Sequence, residues 1–563
     1  MLMLGLIIHA DWLTDNSWFA LLACAPVVVI VPLCLFIRWF FAWRHFRRML
    51  FALVCLIALI ILFYAEEDFR GWYAWHQFKH EWEAKGERFD FASFIPPPVP
   101  VDQNFALTPI VASSYDWILD KNGKLLNPRK TNYIDRLSMS RESSGFYDSV
   151  LWPTNYADWR LAKMTDLKEW QNYYRTLATK TNEFPVSQTT QSPAADVLLA
   201  LSKYDSDIEE VRKASALPYS RFPLYYSSDH PFEIILVHLA PLKKCCQVLQ
   251  LRASAELDNN QSDKALDDVK LMLRLADSIH NEPFLISHLV RIALTSLALQ
   301  PVWEGQIKHK WSDAQLAELE RALEPLNFLN DYEFSMSNER AGAILEIDSM
   351  RRHRDYEKDE MFFRSMRGFA DEDEPSIEYS APSKISEILM CPAGLYLMPD
   401  GWYFENELTV AEMHRQCFLP MIDTNLQMAL PKVRNDANEY FKKLNLGPWN
   451  MIALDFSDLR GSDRRFAYGQ NSINMARVAC ALERYRLAHN EYPETLDVLA
   501  PQFIAQIPHD VIGGKPLHYR RTDSGKFLLY SIGWNETDDG GQIDLQESGY
   551  TDTSKGDWVW PNP

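Results

Sequence analysis

The 563-residue chain contains no HExxH, GxSxG, GxxxxGKS/T or GxGxxG stretch. It therefore offers no zinc-protease helix, no nucleophile elbow and no phosphate-cradling glycine loop. No CxxC spacing occurs among its eight cysteines. Cys24, Cys34 and Cys55 lie in apolar runs, and among Cys245, Cys246, Cys391, Cys417 and Cys480 the only pair is adjacent. That pattern indicates neither a disulfide framework nor a zinc site, so buried, inert thiols are expected. A basic stripe is missing as well. The formal charge is −19, and residues 1–65 carry four arginines against two aspartates, which leaves −21 for the remainder. So acidic a body repels phosphate backbones, and nucleic acid is not an expected partner. An apolar fraction of 47% with 24% charged residues excludes wholesale disorder, and the length predicts two or three domains.

Two long apolar runs stand at the start: Trp18 to Ile37, interrupted by Pro26 and Pro32, and Met49 to Ala65, "MLFALVCLIALIILFYA". A bilayer core of roughly 30 Å needs about twenty helical residues, with a lower limit near seventeen, so both runs qualify. Arg38, Arg44, Arg47 and Arg48 lie before the second run, and Glu66, Glu67 and Asp68 follow it. Arginine favours the cytoplasmic side, which sends the second span outward. Residues 1–65 are thus read as a membrane anchor of one or two helices, 18–37 and 49–65. A secretory signal is the competing reading, but "LFYAEEDF" has no small-x-small cleavage site.

Residues 66–104 read as a tryptophan-rich juxtamembrane helix, Phe69 to Arg88, followed by the polyproline spacer "FIPPPVPVDQNFA". His76 and His80 share one helical face, a metal-compatible spacing without a third ligand. Residues 105–455 read as a mostly helical body. Within it, 105–190 carry mixed signals and short strands, and the helical pattern strengthens from Asp196. Ser262 can cap a helix with Ala265, Val269, Met272, Leu273, Ala276 and Ile279 on one stripe. A preceding helix, Glu233 to Leu257, joins it through "DNNQ" as a helical hairpin. That hairpin is weakly similar to a tetratricopeptide repeat in its small residues around the turn. Phe284 to Gln300 is expected as a buried central helix, with Glu339 proposed as the ion-pair partner of Arg291. Ser312 with Gln315, and Thr409 with Glu412, spell capping boxes. Residues 353–385 form a charged acidic loop.

Residues 456–563 read as a small α+β module. A helix spans Ser472 to His489 and ends at Asn490, and a short helix covers Leu496 to Leu499. "PLHYRR" and "FLLYSIG" flank "TDSG" as a β-hairpin, and "DWVWP" supplies a last strand with Trp558 and Trp560 on one face. This order of elements, with Tyr492-Pro493, then Pro508, Asp510 and Gly513, then Leu529-Tyr530-Ser531 and Gly533, resembles the globular part of the type II secretion major pseudopilin. The resemblance covers about the last ninety residues. It implies calcium in the final loop, carried here by Asp538, Asp539 and Asp557, with Asp544 as an addition. An inserted stretch, "QIDLQESGYTDTSK", departs from the family's spacing, and a tight turn at Asp539-Gly540 is the alternative. The apolar filament-forming helix of pilins is absent from this module, which puts filament assembly in doubt.

The fold class expected is therefore mainly α: membrane helices, a weakly repeat-like helical body and an α+β pseudopilin-like end. The expected role is a non-catalytic scaffold or binding protein of the bacterial inner membrane, its bulk on the periplasmic side, with membrane lipid and another envelope protein as partners. The alternatives are a hydrolase with an unrecognised site and an accessory of a secretion or pilus-like machine.

Overall fold

The computed structural model describes residues 30–39, 43–112, 157–180, 182–354, 396–444 and 461–562, with short isolated stretches between them. The chain is mainly helical and carries a few small sheets. It divides into two compact units, one of residues 1–72 with 399–401 and one of the rest.

In the first unit, Ile30–Trp39 is an apolar helix, and most of the first run lies outside the described residues. The second run belongs to helix α1, Trp43–Glu83. The apolar part of α1 has a mean hydropathy of 2.6 and is entirely unburied by protein. The expected exit at Ala65 is not a helix end: Glu66 and Glu67 are good helix formers, no proline follows before Pro96, and the helix runs on through Asp68 and Gly71 to Glu83. Within this unit Gly71 and Gly401 let two backbones meet. A Cβ on Gly401 would lie 1.9 Å from the carbonyl oxygen of Glu67.

The second unit begins with a segment that is docked rather than a free spacer. Phe89, Phe91, Phe94 and Phe105 are buried, and Arg221 donates from Nε to the Pro96 carbonyl at 2.9 Å. Helix α2, Leu167–Ala178, lies in the region of mixed signals and was not foreseen. Helices α3, Pro193–Leu201, and α4, Asp205–Ser215, precede the expected hairpin of α5, Leu239–Asp258, and α6, Ser262–Asp277. The five stripe residues within α6 are buried, as their 3.6-residue period requires, and so is Ile279 just past its end. Ser262 does not cap this helix. Gln261 occupies the cap position, and the Ser262 hydroxyl instead accepts from Gln315 Nε2 at 3.1 Å.

Helix α7, Leu285–Ile307, packs against both hairpin helices, and its long apolar sequence is explained by burial in this core. Arg291 pairs with Asp331, not with Glu339. Glu339 accepts the Leu285 N–H at 2.9 Å, so it caps the start of α7 from a neighbouring helix. Burial raises that carboxyl to about 7, against the lowering effect of the same hydrogen bond.

Helix α8, Asp313–Leu323, opens with the complete Ser312–Gln315 capping box, and α9 spans Phe328–His353. The second capping box fails. Thr409 lies inside α10, Asp400–Met413, and returns its hydroxyl to the Glu405 carbonyl at 2.8 Å. A threonine can satisfy itself within its own helix, so the four-letter pattern alone does not fix a start. The acidic loop of 353–385 lies outside the described residues beyond Arg354.

After α11, Val433–Lys443, the last helix α12 runs from Ser462 to His489, ten residues longer at its start than the periodicity suggested. Asn490 ends it in the left-handed region at φ 61°. β1, His518–Arg521, and β2, Phe527–Ser531, form the expected hairpin. A separate exposed hairpin, β3 Ile543–Leu545 with β4 Thr551–Gly556, is the inserted stretch. β5, Trp558–Trp560, then pairs with β2 and completes a three-stranded antiparallel sheet in the order β1-β2-β5. Trp558 and Trp560 are both buried, as the period of two requires.

Helix α12 packs on α7, α8 and α9, and one continuous apolar core contains residues from Phe105 to Trp560. Trp560 lies 4.9 Å from Trp159 between ring centres and donates from Nε1 to Gln306, while Trp303 donates to the Pro561 carbonyl. The helical body and the α+β module are stitched along this tryptophan seam.

Candidate functional site

The α5–α6 hairpin, with α3 and α4, borders an open groove of about 640 Å³. Its polar floor comes from positions that the helical periods turn inward. On α6, Asp268 falls three residues after Ala265 and four before Met272, so it shares their apolar stripe. On α5, Arg252 and Glu256 are one turn apart on the face of Cys245 and Leu249. The α5–α6 turn brings these residues together, with Asn260 taking the left-handed conformation at φ 55°.

Asp268 has no exposed side-chain surface and lies between two guanidinium groups, Arg212 Nη2 at 2.7 Å and Arg252 Nε at 3.1 Å. Arg252 also meets Glu256 at 3.2 Å and Asp205 at 3.4 Å. Arg212 meets Glu209 at 3.1 Å and donates to the Asp267 carbonyl at 2.9 Å. Carboxylates thus alternate with arginines from rim to floor, with Asp205 and Glu209 on the solvent side.

Burial is the largest influence on both inner carboxyls. It pushes Glu256 up to about 8, assisted by the charge of Asp268 and opposed by Arg252. Asp268 is raised less, to about 6, because Arg252 and Arg212 both favour its anion. Burial thus favours the neutral form of Glu256, on the groove, more than that of Asp268, which lies beneath it between its two arginines. Since the folded protein retains protons that the unfolded chain releases near pH 4.5, this pair contributes most stability in mild acid and loses it as pH climbs toward 8. Glu256→Gln, which keeps the shape without the charge, is expected to flatten the decline in melting temperature between pH 6 and 9. Scanning calorimetry across that range reads the difference, and parallel curves for both proteins would refute the raised pKa.

None of these residues was singled out from sequence. The available sign was a charged residue on an apolar stripe, at Asp268 and again at Glu256.

The aspartates expected to hold calcium are placed as follows. Asp538, Asp539 and Asp557 share one loop cluster, turned by Gly540 and Gly541 at φ 73° and 84°. Asp557 is buried and accepts the backbone N–H groups of Asp539 at 3.3 Å and Gly541 at 2.6 Å. Asp538 accepts from Gly540 at 3.0 Å and from the Tyr530 hydroxyl at 2.9 Å, and these bonds hold its carboxyl below the ordinary range. Asp539 accepts from Asn535 at 3.1 Å. Asp544 is exposed on β3 and accepts from Leu545. These oxygens face N–H and O–H donors, and among the described residues no group of three or more His, Cys, Asp or Glu is arranged to hold a metal. The arrangement does not fit a calcium centre as it stands; it fits a tight turn closed by Asp557.

His509 Nε2 lies 3.0 Å from the carbonyl oxygen of Gln427. Its neighbour Asp510 is the more consequential residue. It is buried and accepts from Ile512, Ile532, Ser531 and Asn471. His76 stands edge-on to Phe404 at 5.7 Å. Cys245, Cys246, Cys417 and Cys480 are free and buried, and burial raises their thiols, Cys245, Cys417 and Cys480 to about 12. Such thiols carry no nucleophilic role.

Comparison of the chain with family models, with curated proteins and with solved structures finds no match.

Proposed function

We propose that the chain is a membrane-anchored, non-catalytic binding protein of the bacterial envelope, whose α5–α6 groove receives a basic segment of a partner protein. The observation that carries this reading is the layered groove. Its inner arginines, Arg212 and Arg252, both clamp Asp268, while the rim carboxylates Asp205 and Glu209 stay 62% and 55% exposed. Inner pairs of this kind hold the walls in place, and exposed rim charges steer an oppositely charged partner. The anchor rests on the unburied apolar length of α1. The periplasmic side rests on the arginines before the second run and the acids after it.

A photo-crosslinking residue at Leu198, on the groove wall, is expected to trap a partner in native membranes. Asp205→Lys with Glu209→Lys should cut the yield by about tenfold or more. Asp523→Lys, on the distant "TDSG" turn, should leave it unchanged. Equal capture by all three proteins would dismiss the groove. Alkaline carbonate extraction tests the anchor separately, since the full chain should stay in the pellet.

A second reading, an extracytoplasmic hydrolase, is favoured by the Glu256–Asp268 pair, because two carboxyls of unequal acidity can divide acid and base roles. Against it, Asp268 is clamped by two arginines, and among the described residues no serine, threonine or cysteine lines the groove. The accessory role in a secretion machine rests on the resemblance of the last ninety residues alone.

A further inference from the structure

A second cleft, of about 630 Å³, lies between the segment after α1, helix α9 and the turns that follow α10. Three arginines line it, Arg88, Arg340 and Arg415, in a chain whose overall charge is −19. The three carboxylates at the same cleft are engaged. Glu87 pairs with Arg340, Glu333 accepts the Thr424 hydroxyl at 2.6 Å, and Asp423 accepts the backbone N–H groups of Asn425 and Leu426 at 2.9 and 3.0 Å. The cations are not equally satisfied.

Arg340 is only 1% exposed, and beyond Glu87 it donates to the Arg88 carbonyl at 3.0 Å. Its Nε is buried with no hydrogen-bond acceptor among the described residues. Arg415 has the same deficit. Its Nε is buried without an acceptor, its guanidinium lies 4.3 Å over the Trp82 ring, and the described residues give it no ion pair. Glu412 and Glu81 act on it only through their fields. Arg88 lies over Phe94 and donates to the Ser93 carbonyl at 3.2 Å.

Arg415 owes its position to a local irregularity. Helix α10 does not end at Met413 but widens into a π-helical turn, His414–Phe418. Such turns cost backbone hydrogen-bond quality and recur where a side chain must be aimed at a ligand. The neighbouring His414 is fully buried; burial first, and then the charge of Arg340, lowers it to about 3, so it adds no cation of its own.

An unpaired N–H on a buried guanidinium is costly, and an arginine offers a planar donor fork that matches an oxyanion. We propose that this cleft binds the oxyanion group of a small ligand, a carboxylate or phosphate, held chiefly by Arg340 and Arg415 with Arg88 at the mouth. The ligand supplies the negative charge that the described residues do not place on Arg415. Phe94 lines the site under Arg88, and Trp82 backs the Arg415 guanidinium with its ring face.

The test uses the full chain in detergent, with inorganic phosphate and citrate as probes in calorimetric titration up to about 20 mM, a range that reaches affinities in the weak millimolar class. At least one probe should bind, and Arg415→Gln should weaken it about tenfold or more. Arg321→Gln, on α8 away from the cleft, should bind as the wild type does. Where Arg415→Gln fails to fold, Arg88→Gln, an exposed residue, serves in its place with a smaller loss. Vesicles containing phosphatidylglycerol separate a lipid headgroup from a soluble ligand. A response to vesicles alone that Arg415→Gln abolishes would assign the same oxyanion chemistry to lipid. Silence with all probes, or undiminished binding by the arginine variants, overturns the proposal.

Discussion

Asp510→Ala is expected to destabilise the second unit by about 3–5 kcal/mol, because one small carboxylate closes four hydrogen bonds in an apolar setting. Asp510 receives Ile512 N–H at 2.9 Å, Ser531 Oγ at 2.8 Å, Asn471 Nδ2 at 3.1 Å and Ile532 N–H at 3.3 Å. These donors come from helix α12, strand β2 and the loop between them, so the residue joins parts that are far apart in sequence. Burial raises its carboxyl above the ordinary value, and the four donors oppose that shift. Truncation leaves two backbone amides, a hydroxyl and an amide side chain without acceptors. Asp510→Asn retains one oxygen and should recover about half of the loss. Denaturant unfolding followed by tryptophan fluorescence measures both, since Trp534 and Trp558 are buried in the same module. A cost below about 1 kcal/mol for the alanine variant would show that water replaces the carboxylate freely.

The second large effect is expected at Gly401. A Cβ there would sit 1.9 Å from the Glu67 carbonyl oxygen and 2.8 Å from the Asp68 Cα, and one on Gly71 would sit 2.0 Å from the Gly401 carbonyl oxygen. The obstacle in each case is main chain, which has no rotamer to change. Overpacking typically costs about 1–3 kcal/mol, and a clash with backbone belongs at the upper end or beyond. Asp68 Oδ1 also accepts the Gly401 N–H at 2.9 Å, so separation would break this cap. Gly401→Ala should therefore speed trypsin cleavage after Arg70. Gly342→Ala is the control, because its nearest neighbour would be Phe232 at 3.5 Å, an ordinary contact. Equal digestion of both variants would mean that the helices do not meet as described.

What the sequence made visible follows the range of the forces involved. The α6 stripe, the Ser312 cap, the Asn490 stop and the β1–β2 hairpin depend on residues a few positions apart, and each was found where periodicity and turn chemistry placed it. Partner choice across helices was not visible. Arg291 could meet either of two acids on α9, and Asp331 rather than Glu339 lies at the level of its guanidinium, two helical turns earlier. The same limit hid the groove, which needs residues from α4, α5 and α6 to converge. Asp538, Asp539 and Asp557 do lie in one loop cluster, as their order around the glycines suggested. What no spacing could reveal was that Asp557 turns inward and spends both oxygens on backbone amides.

The tryptophan seam has a consequence for biosynthesis. Trp159, Trp303 and Gln306 meet Trp560 and Pro561 across this junction. A ribosome must deliver Trp560 and Pro561 before that junction can shut, so the nascent chain stays open at its middle until those residues have emerged. Fragments that stop short of them would leave the interior of the larger unit gaping and should be prime clients for chaperones and proteases.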